Sequence, residues 1–338
     1  MGHGPAPLRW GVIAASAYVA QQAVLPAIAA NENAQLVAVA SQSRSAGTLD
    51  TFGALRTYRA YAELLVDPEV EAVYVPLPNS LHREWVERAA AEGKHVLCEK
   101  PLAPSAADAR AMRSACAAAG VFLLEAYMTP FHPRAAAVDA LVRSGRLGAL
   151  RFARAAFTGV LSGPDNHRWR PGLEAGALLD VGIYCVAPLL IAAGRPPRRV
   201  EAAAVVTAAG VDAACSGWLD FGDGFSAAIE CSFDAPEHQS LEIVGTEAAV
   251  IVSRAHTPGP GDIAFTLRSR DGRLEQVVVG GGNPYRAMVE HFQAVVRGAV
   301  TSGSRMVDSI ARLEVLDRLR AAAGLGRPAV DAAARGVG

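Results

Sequence analysis

Glu99-Lys100-Pro101 and, eighty residues on, Asp180-Val181-Gly182-Ile183-Tyr184 supply the groups from which proton chemistry on a hydroxyl or ketone can be built. Lys100 closes the apolar run His95-Val96-Leu97-Cys98, which reads as a strand. A lysine at the carboxyl end of a strand in an α/β sheet sits where such folds bind ligands. Asp180 and Tyr184 stand at i and i+4, so a helix turns both to one side. A cation, a carboxylate and a phenol brought together can orient an oxygen substituent and move its proton. Lys100 is expected to favour the phenolate and so lower the pKa of Tyr184 from its usual ~10. Asp180 is expected to orient the pair, since an unpaired carboxylate in an apolar helix is costly. The reverse assignment, with Lys100 relaying the proton, stays open. Judged only by Leu178, Leu179 and Val181, Tyr184 reads as a core tyrosine.

These groups need a scaffold, and the first third of the chain describes one. Apolar runs at 8–14, 35–40, 72–75, 95–98 and 121–124 alternate with helical patterns, among them 18–30, 81–91 and 106–119. Strand–helix alternation predicts a parallel sheet with helices on both faces. Gly11-Val12-Ile13-Ala14-Ala15-Ser16 follows the first strand, where a dinucleotide-binding turn belongs, although Ala14 and Ser16 stand where glycines are usual. Gly11, Ala14, Ala15 and Ser16 are the expected cofactor contacts of this turn, with the Ser16 hydroxyl adding to a helix-terminus anion site. After the second strand, Ser41-Gln42-Ser43-Arg44 has no carboxylate. Ser41 and Arg44 suit a ribose 2′-phosphate, which favours NADP over NAD. Pro76, Leu77, Asn79 and His82 end the third strand at the same edge and are further candidate contacts; Asn79 is equally suited to cap the next helix.

Beyond a boundary near Glu125 the pattern changes. A helix at 133–144, a strand at 150–158, a polar loop and a helix at 175–193 lead into successive short strands from Arg199 to Val279 and two closing helices. Strands in succession imply a largely antiparallel sheet. Tyr127 and the loop residues Trp169 and Arg170, with Asp180 and Tyr184, are the candidate substrate contacts, suited to a polyhydroxylated molecule.

The chain has 338 residues, 51% of them hydrophobic, and a net charge of −1 from 32 basic and 33 acidic residues. The length favours two domains. The even charge balance gives no attraction to nucleic acid or an anionic membrane. The apolar stretch around 185–193 is expected to fall short of a membrane span, and the first residues lack a signal-peptide layout. Five widely spaced cysteines without a CxxC pair or Cys/His cluster point to buried free thiols in a reducing cytoplasm and to no metal.

In this order, these segments resemble the Gfo/Idh/MocA family of NAD(P)-dependent oxidoreductases. The most specific stretches are Ala72-Val73-Tyr74-Val75-Pro76-Leu77-Pro78-Asn79-Ser80-Leu81-His82, Gly93-Lys94-His95-Val96-Leu97-Cys98-Glu99-Lys100-Pro101, Glu125-Ala126-Tyr127-Met128 and Gly176-Ala177-Leu178-Leu179-Asp180-Val181-Gly182-Ile183-Tyr184. The resemblance implies an α/β chain: a Rossmann domain over 1–125, then an α/β domain over 126–338 whose large, mostly antiparallel open sheet binds substrate and joins subunits into a homodimer or homotetramer. It implies that Lys100 contacts nicotinamide ribose and substrate, often before a cis bond to Pro101. Glu99 is a candidate cofactor contact, or else a structural residue that holds the turn presenting Lys100. Tyr184, where many members carry His, resembles the branch of dihydrodiol dehydrogenases, xylose dehydrogenases and deoxysugar ketoreductases, and makes Tyr184 catalytic. The expected function is hydride transfer to or from a sugar or related carbonyl or alcohol. A non-catalytic nucleotide sensor or co-regulator on the same fold, and an NAD-dependent glycosidase, are the alternatives.

Overall fold

The computed structural model describes residues 6–42, 52–163, 166–173, 175–301 and 308–326; Arg44 lies outside them. The first domain is built from β1 (Leu8–Val12), β2 (Ala34–Ala40), β3 (Arg56–Tyr58), β4 (Ala72–Val75), β5 (His95–Glu99) and β6 (Leu123–Ala126). They lie in the order β3-β2-β1-β4-β5-β6 with every pair parallel. Strands of a parallel sheet are covered on both faces, so they read as unbroken apolar runs; β4 is buried along its whole length. The cover comes from α1 (Leu25–Ala29), α2 (Tyr61–Leu65), α3 (Asn79–Ala91) and α4 (Ala106–Ala118). The strand order reverses between β1 and β4, which opens a crevice at the carboxyl ends of the strands. β3 and α2 were not expected: one is three residues long and the other five, too short for a periodic signal.

The second domain contains α5 (Pro133–Arg143), β7 (Leu150–Val160), a π-helical turn (Leu178–Gly182) running into α6 (Ile183–Ala193), and seven further strands. These are β8 (Arg199–Val206), β9 (Asp212–Gly222), β10 (Phe225–Ser232), β11 (Asp234–Gly245), β12 (Ala248–Ser253), β13 (Ile263–Ser269) and β14 (Leu274–Val279). Their order is β14-β13-β12-β11-β7-β10-β9-β8, antiparallel except where β10 meets β7. The inner face packs Ile229, Cys231 and Leu241 beneath α6, while the outer face leaves Val160 72%, Val205 60% and Val278 69% exposed.

Two helices close the chain. α7 (Pro284–Val296) returns to the first domain, where the Phe292 ring meets Trp10 at 4.9 Å and Phe122 at 5.3 Å. α8 (Ser309–Ala322) packs against both α4 and α6 and so touches both domains. The stretch Pro171–Ala193 is, by length and composition, apolar enough to cross a bilayer, against expectation. Its apolar window is 67% buried in the protein, where it serves as the core helix over the sheet. All five cysteines are buried and free.

Candidate active site

Lys100 leaves the end of β5 through a cis peptide bond to Pro101. Glu99 secures the turn: its Oε2 accepts from the Lys100 backbone N at 3.1 Å, and its Oε1 accepts from the Tyr74 hydroxyl at 2.7 Å. Burial raises the pKa of Glu99, opposed by Tyr74 and Lys100.

Asp180 sits in the π turn that opens α6, a geometry often found at functional sites. Asp212 on β9 anchors that turn, its Oδ2 accepting from Leu178 N at 2.7 Å. Burial pushes the Asp212 carboxyl up to about 6. Gly176, at φ +114°, makes the approach possible, because a Cβ there would lie 2.0 Å from Asp212 Oδ1.

The two segments meet at Lys100. Its Nζ donates to Asp180 Oδ1 and to the Asp180 carbonyl oxygen, both at 2.7 Å. Arg168 Nε donates to Asp180 Oδ2 at 2.8 Å. Burial pushes the Asp180 carboxyl up, but Lys100 and Arg168 outweigh it and hold the carboxyl at about 2. Lys100 Nζ also lies 5.1 Å from the centroid of the Tyr184 ring. Asp180 and Tyr184 thus both lie against one ammonium.

The expected effect of Lys100 on the phenol is corrected. Burial, then Tyr285 and Glu99, raise the pKa of Tyr184 well above its ordinary value. Lys100 spends its charge on Asp180 and meets the tyrosine at the ring. The Tyr184 ring is packed by Tyr127 at 5.2 Å, Phe157 at 5.3 Å and His256 at 6.2 Å.

Two other expectations change. His82 is wholly buried, with Nε2 2.7 Å from Leu77 O and Nδ1 3.0 and 3.2 Å from the Pro101 and Leu102 carbonyls. Without exposed surface it offers nothing to a cofactor; it joins the end of β4 to the turn beyond Lys100. Tyr127 is 2% exposed and lies between Arg312 and Tyr184, so it backs the Tyr184 ring rather than lining the cleft.

In the cofactor turn, Ala14 has φ +46°, in the left-handed region where glycine is at ease. An L-residue there costs roughly 1–2 kcal/mol. Ala14→Gly is therefore expected to raise unfolding free energy by about 1 kcal/mol, read from urea melts; unchanged or lower stability would contradict this. Gly11 serves packing, since a Cβ there would come within 2.7 Å of Leu64 Cδ2. Ala15 is buried, and Ser41 Oγ donates to Ser16 Oγ at 3.1 Å, joining the first turn to the tip of β2. Pro76 and Leu77 are buried past the end of β4, and Asn79 opens α3 after Pro78, which holds the capping position. The small side chains of residues 14–16 and the Ser16–Ser41 hydroxyl pair keep this end of the crevice small and polar, which fits the close approach of a pyrophosphate-bearing cofactor.

Trp169 packs edge-on against Phe233 at 5.4 Å, while Arg170 is exposed. Arg168, in the short helical turn His167–Trp169, is the loop residue that reaches Asp180. Sequence reasoning passed it over, because the neighbouring Trp169 and Arg170 look equally apt until the turn's orientation is known. Tyr285 on α7 was also missed; burial and Glu99 push it up to about 12. Among the described residues no group of three or more His, Cys, Asp or Glu is placed to hold a metal ion.

Comparison with known proteins matches the two domains separately. Residues 8–127 match the oxidoreductase family with an NAD-binding Rossmann fold, and residues 135–251 match the GFO/IDH/MocA C-terminal domain. The chain belongs to the Gfo/Idh/MocA oxidoreductases. Among relatives in this family, a D-xylose 1-dehydrogenase (NADP(+)) of Haloferax volcanii is 34% identical, covering 93% of this chain and 97% of its own. A dTDP-3,4-didehydro-2,6-dideoxy-alpha-D-glucose 3-reductase of Streptomyces violaceoruber is also 34% identical, covering 94% and 96%. The solved structure of a 3-ketoreductase from Actinomadura kijaniata, in complex with NADP and TDP-benzene, superposes with a TM-score of 0.85 at 27% identity, covering 94% of this chain and 98% of that one. As a Gfo/Idh/MocA member the chain is an NAD(P)-dependent dehydrogenase or reductase, with a parallel Rossmann sheet and a large, mostly antiparallel second sheet.

Proposed function

We propose that this protein reduces a keto sugar, or oxidises the corresponding alcohol, with NADP as the preferred cofactor and Tyr184 as the proton donor or acceptor. The observation that carries the reading is the meeting of Lys100, Asp180 and Tyr184 beside the carboxyl end of β5. A bound nicotinamide supplies the hydride. The protein must orient the carbonyl and deliver one proton to the alkoxide that develops. Tyr184, kept neutral by burial, is in the state that donates. Lys100, with two N–H groups on Asp180, directs its remaining donor at the substrate oxygen. Asp180 orients Lys100 and is itself fixed by Arg168. Trp169 and Arg170 contribute a polar and aromatic rim for sugar hydroxyls. The named relatives act on xylose and on a dTDP-linked keto sugar, which supports a sugar substrate. A nucleotide sensor has no need of this proton-transfer set. A screen of keto sugars and polyols, following reduced nicotinamide absorbance, tests the reading; no turnover with any of them would refute it.

Cofactor preference follows from Ser41 and Arg44, with no carboxylate at the tip of β2. NADPH is expected to bind more tightly than NADH, and Arg44→Ala to narrow the gap; equal wild-type affinities by fluorescence titration would contradict this. Assembly follows from the apolar outer face of the second sheet, since soluble proteins usually cover such patches. A cytoplasmic homodimer or homotetramer joined through that face is expected, and a monomeric mass by light scattering at micromolar concentration would count against it.

A further inference from the structure

Behind the reacting groups lies a buried ion pair for which the proton chemistry has no use. The side chains of Glu125, at the end of β6, and Arg312, on α8, have no solvent exposure, and Arg312 Nη2 donates to Glu125 Oε2. Ser309 Oγ donates to the same oxygen at 2.5 Å. Two contacts lead from this pair toward the site. Glu125 Oε1 accepts from Leu102 N at 2.9 Å, two residues beyond Lys100. The guanidinium carbon of Arg312 stands 4.7 Å from the centroid of the Tyr127 ring, and that ring packs edge-on against Tyr184 at 5.2 Å.

We propose that Arg312 is a positioning residue, one guanidinium that fixes Lys100 through Glu125 and Leu102 and fixes Tyr184 through Tyr127. The inference rests on Lys100 and Tyr184 being the reacting groups. A buried ion pair contributes little net stability compared with apolar residues of the same volume, because desolvation offsets the attraction. Stability is thus a weak reason for burying this one. Geometry is a better reason. A guanidinium is planar, so it can grip a carboxylate edge-on while its face lies on an aromatic ring; an ammonium is a point charge with no flat face to set the plane of that ring. Tyr127, closed in by Arg312 on one side and Tyr184 on the other, transmits any tilt of the guanidinium to the catalytic ring. Displacing a reacting group by about 1 Å can cost ~10²-fold in rate.

Three variants test this: Arg312→Lys, the pair Arg312→Met with Glu125→Gln, which leaves no uncompensated charge, and Tyr127→Leu, which leaves the ion pair in place. The measurements are kcat, KM for the keto sugar, the NADPH dissociation constant, and ¹⁹F NMR of protein labelled with 3-fluorotyrosine, the Tyr184 signal being assigned by its loss in Tyr184→Phe. Arg312→Lys and the double variant are expected to keep NADPH affinity within about threefold while kcat falls about 10–10²-fold. The Tyr184 resonance should shift or broaden in all three variants. Tyr127→Leu and Arg312→Lys combined should lose less than the product of their separate effects, since they act through one contact. A folded Arg312→Lys with wild-type kcat and an unmoved Tyr184 resonance overturns the proposal. If Arg312→Lys fails to fold, an unmoved Tyr184 resonance in Tyr127→Leu overturns it instead. A wild-type protein inert toward every keto sugar and polyol refutes the functional reading alone, and the ¹⁹F measurement still decides whether Arg312 holds Tyr184.

Discussion

Tyr184→Phe is expected to lower turnover about 10²–10⁴-fold, the usual contribution of a positioned general acid or base, while NADPH affinity stays nearly intact. The substitution removes one oxygen and preserves the ring that packs against Tyr127, Phe157 and His256, so the fold should survive. Lys100→Ala should cost at least as much. It removes the proposed substrate contact and leaves the Asp180 carboxylate with Arg168 alone. Lys100→Arg keeps the charge but changes the donor geometry, and is expected to recover only part of the loss. Because burial holds the phenol protonated, the alkaline fall in the rate of reduction should lie at or above the ordinary phenol value of ~10. Steady-state kinetics with a keto sugar and NADPH check each outcome. Near-normal turnover by Tyr184→Phe would make Tyr184 a packing residue and send the proton through Lys100.

Asp180→Asn is expected to change stability in a pH-dependent way. The Asp180 carboxyl is held at about 2, below its usual 3.8. Between those values the unfolded chain binds the proton and the folded protein does not, so stability falls as pH falls. The contribution is fully present above about pH 4 and is lost as the pH drops through about 2. A shift of this size corresponds to roughly 2 kcal/mol. Asp180 and Lys100 have side chains only 17% and 13% exposed, so solvent screens the interaction little. Asp180→Asn should therefore be roughly 2 kcal/mol less stable than the wild type at neutral pH, and the difference should vanish toward pH 2. Turnover should fall as well, since Lys100 loses the carboxylate that aims it. Urea melts of both proteins at pH 7, 4 and 2 check the prediction. A difference that persists unchanged at pH 2 would show that Asp180 acts through shape rather than charge.

The sequence by itself determined five of the six strands of the first sheet, because a strand covered on both faces has to be largely apolar, and β4 and the centre of β5, Val96-Leu97-Cys98, read that way. It also determined that Lys100 lies at a strand's carboxyl end and that Asp180 and Tyr184 share one side of a helix, since both facts follow from local periodicity. Short elements escaped it: β3 has three residues, and the π turn differs from a regular helix only in its hydrogen bonds. Only the tertiary structure decided that Arg168, rather than Arg170, meets Asp180, because that depends on how one helical turn is rotated. It likewise decided that His82 is enclosed by carbonyls from the end of β4 and from the turn beyond Lys100, and that Glu125 meets Arg312 across 187 residues. The state of the Tyr184 phenol belongs to the same class. A neighbouring lysine suggests a lowered pKa, but the outcome depends on how much water every surrounding element removes and on where Lys100 spends its charge, and no local stretch of sequence contains that sum.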